Sequence, residues 1–303
     1  MKKIIFAIAL ALLVMTSVVF SSQRFEPINE LYVFGDSLSD VGNSFQATRE
    51  LYPPNPLYFQ GRFSNGPVWV EYLGDRLQLS ARQTSNFAYG GAITGSVTNR
   101  LSDNPYPNRL LPSLVSQVQT FTQSNQRTNS EALYILWAGA NDYLQGVSSV
   151  AAPVENVRRS LAALASTGAK KFLVANLPDL GKLPATRSSA NSARLSQLTQ
   201  SHNQGLRRSL KLFAQQHPEF QIATLDANTL YREATTNPAA FGLANVTSAC
   251  LTGSAACAKP DQFLFWDGIH PTTVAHRILG ETAFRAIQDA GMVNAPPAAR
   301  RVR

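Results

Sequence analysis

The sequence predicts a single doubly wound α/β domain. Three observations predict it: five short apolar runs, longer amphipathic stretches between them, and polar clusters just after three of the runs. The runs are ELYVF (30–34), SNFAY (85–89), ALYILWAG (132–139), KKFLVAN (170–176) and FQIATLD (220–226). They are near-continuous rather than alternating, as parallel strands covered on both faces are. The spacing predicts helices over 67–79, 113–123, 154–167, from about 189 to 216 and over 272–290, with Gly291 stopping the last. Strands that alternate with helices in this way build one parallel sheet. Neither an internal repeat nor a Pro-, Gly- or Ser-rich linker divides the chain, so one domain is expected over 25–292. The segment 99–112, with Pro105, Pro107 and Pro112, is expected to be a surface excursion.

The ends and the charge set the context. Residues 1–25 carry Lys2 and Lys3, an uncharged and mostly apolar run from Ile4 to Phe20, then small polar residues. That layout predicts a secretory signal peptide over 1–21, cut after Ser21 or Ser22; the alternative is an uncleaved anchor. Export to the periplasm or the medium follows. Net charge is +8, but the cations are scattered apart from the tail ARRVR, without a basic block interleaved with aromatics. Nucleic-acid binding is therefore not expected. The tail over 293–303 is expected to be disordered. Cys250 and Cys257 are the only cysteines. In an exported chain they predict one local disulfide, contributing at most ~2.5 kcal/mol by chain entropy. No histidine pair stands near them at metal-ligand spacing, so no metal site is expected.

In open parallel sheets, ligands bind beyond the carboxyl ends of the strands. GDSLSD follows the first predicted strand, GGAITG the second and GAND the third, while FWDGIHPT precedes the last helix. A serine nucleophile needs a base, and the base needs an orienting acceptor. Among four histidines, His202 lies inside the long helix pattern as a surface or groove residue, His217 ends that helix, and His276 lies within the last helix. His270 alone sits in a loop at a helix start, three residues after Asp267. The turn allowed by Gly268 can bring the Asp267 carboxylate to His270 Nδ1 and leave Nε2 for Ser37. The plainer alternative is that Asp267 and His270 only cap the helix. Oxyanion donors are available in the Ser37 N–H, a glycine N–H of NFAYGGA and the Asn141 side-chain amide. The motif is not the G-x-S-x-G elbow, since position 39 is serine. No G-x-G-x-x-G or phosphate-binding loop occurs.

Together, GDSL (35–38), NFAYGG (86–91), GAND (139–142) and DGIH (267–270) resemble the ordered blocks of the GDSL (SGNH) lipase/esterase family. GRFSNG (61–66), GDSLSDVGN and FWDGIHPT are similar to its plant-type and bacterial secreted acylhydrolase subgroup, over about 31–272. The resemblance implies a three-layer α/β/α, flavodoxin-like fold around a parallel sheet of about five strands. It implies Ser37 as nucleophile, His270 as base, Asp267 as its orienting partner, and Ser37, Gly91 and Asn141 as oxyanion donors. Gly91 is preferred to Gly90 by its place in the block. Asp36 is expected to shape the turn. No metal or organic cofactor is implied. The expected activity is exported serine ester hydrolysis through an acyl-enzyme. A carbohydrate acetylesterase and a catalytically inactive binding protein on the same fold are the alternatives. The expected partner is a small-molecule or lipid ester, with contact to lipid surfaces, and the expected state is a monomer.

Overall fold

The computed structural model describes residues 27–95, 111–125 and 127–293. The signal segment, most of the excursion at 99–112 and residues 294–303 lie outside them. The central sheet is parallel and five-stranded, in the order β2-β1-β3-β4-β5, from β1 (Leu31–Gly35), β2 (Thr84–Asn86), β3 (Leu133–Trp137), β4 (Lys171–Ala175) and β5 (Gln221–Leu225). This is the flavodoxin-like order, whose switch point lies between β1 and β3.

The continuous apolar runs have the predicted cause, because strand residues alternate between two buried faces. One face carries Val33, Ile135, Leu173 and Leu225. These pack on α2 (Trp69–Arg76) through Trp69 and Leu73 and on α8 (Thr273–Asp289) through Leu279, Ala283 and Ile287. The other face carries Phe34, Tyr134, Leu136 and Phe172. These meet α3 (Leu114–Ser124), α5 (Ala151–Ser166) and α6 (Ser192–Gln216). Each large aliphatic buried this way contributes about 1.5–3 kcal/mol.

The short helix α1 (Asn43–Ala47) follows the Ser39–Asp40 turn, whereas α4 (Ala140–Leu144) and α7 (Ala227–Thr236) went unpredicted. Two small sheets also did. β6 (Asn245–Ala249) pairs with β9 (Phe263–Phe265), and β7 (Leu251–Thr252) pairs with β8 (Ala255–Ala256). The run SNFAY is a strand only as far as Asn86. Beyond it the Phe87 and Tyr89 N–H groups still reach the Val33 and Gly35 carbonyls, at 2.7 and 3.2 Å, while the Asn86 side chain turns back to accept the Ala88 N–H at 2.9 Å. His202 is a correction: it is fully buried, not on a surface or in a groove. It shares the inward stripe of α6 with Leu195, Thr199, Leu206 and Leu210, a helical spacing that should have placed it inside.

Candidate active site

Ser37 comes two residues after β1, and Gly139 comes two residues after β3. Because Gly35 pairs with Trp137, the two loops leave the sheet side by side. The approach is close enough that a Cβ on Gly35 would lie 2.3 Å from the Trp137 carbonyl oxygen. Buried Gln117 holds this point from α3. Its Oε1 accepts the Gly35 N–H at 2.8 Å and its Nε2 donates to the Gly35 carbonyl at 2.9 Å.

The polar residues around Ser37 spend their hydrogen bonds on loop architecture. Asp36 Oδ1 accepts the Leu38 N–H, which makes the turn. Burial pushes the Asp36 carboxyl up to about 7. Asp40 Oδ1 accepts the N–H groups of Gly42 and Asn43, and its Oδ2 accepts those of Ser44 and Gly90, so it ties the α1 start to the GG loop. Asn43 Nδ2 donates to the carbonyls of Asn86 and Ala88. Thr94 in turn donates its N–H and hydroxyl to the two Asp142 oxygens, at 2.9 and 2.7 Å, joining the second polar block to the third.

These bonds separate the two glycines. The Gly90 N–H is engaged by Asp40 and by Ser44 Oγ at 2.7 Å. Those of Gly91 and Ser37 have no hydrogen-bond acceptor among the described residues. Asn141 Nδ2 spends one hydrogen on the Ala92 carbonyl at 3.1 Å, which leaves the other free to act.

The fourth cluster is a tight turn between β9 and α8. Trp266 donates its N–H to the His270 carbonyl at 2.8 Å. Asp267 Oδ1 accepts the N–H groups of Ile269 and His270, at 2.8 and 2.7 Å. Its Oδ2 takes the His270 Nδ1–H at 2.7 Å, and His270 Nε2 faces Ser37 Oγ at 2.9 Å. Burial works against the charged form of both groups, yet their mutual charge and hydrogen bond prevail. The carboxyl is held well below the usual range, and the imidazole is raised above its ordinary value. With Nδ1 protonated toward a carboxylate, Nε2 presents a lone pair to the serine hydroxyl, the arrangement needed to take its proton.

Two residues of this site were not foreseen. Tyr58 donates its hydroxyl to Asp267 Oδ2 at 2.7 Å, the same oxygen that His270 uses. Phe63 packs its ring on His270, 5.2 Å between centroids, over Gly90, where a Cβ would lie 2.2 Å from the ring. Cys250 and Cys257 are bridged. Cys250 and Leu251 donate their N–H groups to the carbonyls of Phe265 and Trp266, so the bridged hairpin supports the strand that leads to Asp267. Among the described residues, no group of three or more His, Cys, Asp or Glu is placed to hold a metal ion.

A family model described as GDSL-like Lipase/Acylhydrolase matches residues 31–283. The phosphatidylcholine-sterol acyltransferase of Aeromonas hydrophila is 31% identical over 86% of this chain and 90% of its own length. The secreted effector protein SseJ of Salmonella typhimurium is 31% identical over 82% of this chain, which spans only 61% of that protein. A crystal structure from Veillonella parvula, described as a member of the lipolytic protein G-D-S-L family, superposes with a TM-score of 0.50 at 16% identity. The match covers 86% of this chain and 98% of that one, and it shows the fold.

Proposed function

Since the chain belongs to the GDSL-like lipase/acylhydrolase family, we propose that it is an exported serine ester hydrolase working through an acyl-enzyme on Ser37. The observation that carries this reading is the unbroken line from Asp267 through His270 to Ser37 Oγ. In this account Ser37 Oγ attacks the ester carbonyl while His270 Nε2 takes its proton. The N–H groups of Ser37 and Gly91 and the free Asn141 amide hydrogen stabilise the oxyanion. His270 then gives its proton to the departing alcohol, and water, deprotonated by the same imidazole, releases the acid. Release of p-nitrophenol from short and long acyl esters tests the activity and ranks the chains.

Each oxyanion donor is worth about 10²–10³ in rate. Asn141→Ala is therefore expected to lower kcat by that amount with little change in KM. An unchanged kcat would remove Asn141 from the oxyanion site.

Tyr58 acts here as a positioning residue. Its hydroxyl drains charge from the oxygen that faces His270, so Tyr58→Phe leaves a stronger partner for the imidazole. The acid limb of the kcat/KM profile is expected to move to higher pH, with plateau kcat falling by no more than about 10–10²-fold, since one hydrogen bond to a charged group is worth ~1.5–3 kcal/mol. A drop in kcat with no movement of the limb would make Tyr58 merely structural.

Export is supported by the predicted leader at 1–21 and by the relative named as a secreted effector. No helix among the described residues is long and apolar enough to cross a membrane. A second reading is favoured by the relative named an acyltransferase: an alcohol, in place of water, takes the acyl group from Ser37. Adding a sterol or a simple alcohol and measuring the ratio of ester to free acid among the products separates the two.

A further inference from the structure

A cavity of about 280 Å³ lies between α7 and β6. Its walls are apolar: Leu183, Tyr231, Val246 and Phe265. Its rim carries three cations, Lys182, Arg187 and Arg232, and one acid, Asp179. None of the three cations forms an ion pair among the described residues. The acid is already engaged, since Asp179 Oδ1 accepts the Gly181 N–H at 3.0 Å and the Ser196 hydroxyl at 2.6 Å. The rim therefore has an excess of two positive charges over an apolar hole. Asp179, Lys182, Asn228 and Arg232 also line a polar groove of about 760 Å³, so the hole adjoins that groove at its charged rim.

An apolar end, a cationic boundary and a polar groove beside it together describe the complement of an amphiphilic anion. The hole is at the small end of ligand cavities, which suits one chain rather than two. We infer that this cavity binds a free single-chain carboxylate of medium length, its chain against Leu183, Tyr231 and Phe265 and its head between Lys182 and Arg232. The ligand would rest on both supports of the candidate catalytic turn. Phe265 stands two residues before Asp267, and Ala185, two residues after Leu183, donates its N–H to the Gly268 carbonyl at 2.9 Å. The inference concerns binding alone and does not rest on Ser37 being a nucleophile, whose failure would leave every arm below unchanged.

Decanoate titrated calorimetrically into the full chain tests it. Saturable one-to-one binding is expected, weakening about fourfold for each methylene removed on going to octanoate. Thr235→Trp, at an exposed helix position on the cavity wall, is expected to weaken decanoate at least tenfold by filling the hole. The pair Lys182→Ala and Arg232→Ala is expected to weaken decanoate at least tenfold while changing decanol less than about threefold. Thermal unfolding and circular dichroism check that each variant folds, and the charge pair serves as an independent arm if Thr235→Trp does not. Decanoate binding unmoved by both variants would place it elsewhere and overturn the inference. So would decyltrimethylammonium binding as tightly as decanoate, or binding to phosphatidylglycerol vesicles with none to free decanoate.

Discussion

Replacing Ser37 by alanine is expected to lower kcat for p-nitrophenyl ester hydrolysis on the order of 10⁶-fold, the loss found when a serine and its base act as one unit. The only atom removed is Oγ, 2.9 Å from His270 Nε2. Ser37 makes no other side-chain hydrogen bond among the described residues, so the fold has little reason to change. His270→Ala is expected to cost nearly as much, and the double variant no more than either single one. That lack of additivity is the diagnostic feature, because two independent contributions would multiply. Steady-state rates on purified variants, with circular dichroism as the check on folding, decide it. Full activity in either single variant would remove the pair from the chemistry.

Asp267→Asn is expected to lower kcat about 10⁴-fold, less than either of those losses. The amide keeps the shape, and its oxygen can still accept from the turn's backbone N–H groups. Its NH₂ group, however, can face His270 Nδ1 as a donor, which favours the tautomer with a proton on Nε2. That proton then points at Ser37 Oγ, where a lone pair is required. The pH profile adds a signed test. The base works neutral, so the rate rises as pH rises through the His270 pKa. In the native site burial lowers that pKa, but the charge and hydrogen bond of Asp267 overcome it and raise it above the ordinary value near 6.5. The acid limb of kcat/KM is thus expected above pH 6.5 in the wild type. In Asp267→Asn it is expected to move down, because burial is then opposed only by Asp36, whose own carboxyl, pushed up to about 7, carries little charge at that pH. An acid limb that stays in place would show that Asp267 does not set the basicity of His270.

What was legible in the sequence follows from which constraints are local. The strands were legible because both sheet faces are buried, so apolar runs such as LYILW mark them directly. Their ends were less so: nothing in SNFAY announces that Asn86 turns its own amide back on the chain. The four polar clusters were legible because each follows a strand or precedes a helix, and a parallel sheet sends such loops to one edge. Asp267 and His270 are three residues apart, so their contact is a property of one turn. Tyr58 and Asp267 are 209 positions apart, and no local pattern marks that hydroxyl as a partner. Phe63 is hidden for the same reason, although the adjacent glycines of the second cluster hinted at a ring seated over the backbone. His202 was legible and misread, since its spacing from Leu195, Thr199 and Leu206 assigns it to the buried stripe of α6. Burial lowers its pKa to about 4, so it stays neutral behind the GAND turn. Its Cε1 would lie 3.1 Å from a Cβ placed on Gly139.

In the proposed mechanism one serine among many, Ser37, is made nucleophilic by His270. Labelling the wild-type chain with a fluorophosphonate and mapping the adduct by peptide mass spectrometry tests it most directly. A single adduct is expected, on Ser37, formed with loss of all esterase activity and absent from Ser37→Ala and His270→Ala. An adduct on any other residue, or esterase activity that survives with Ser37 fully labelled, would contradict it.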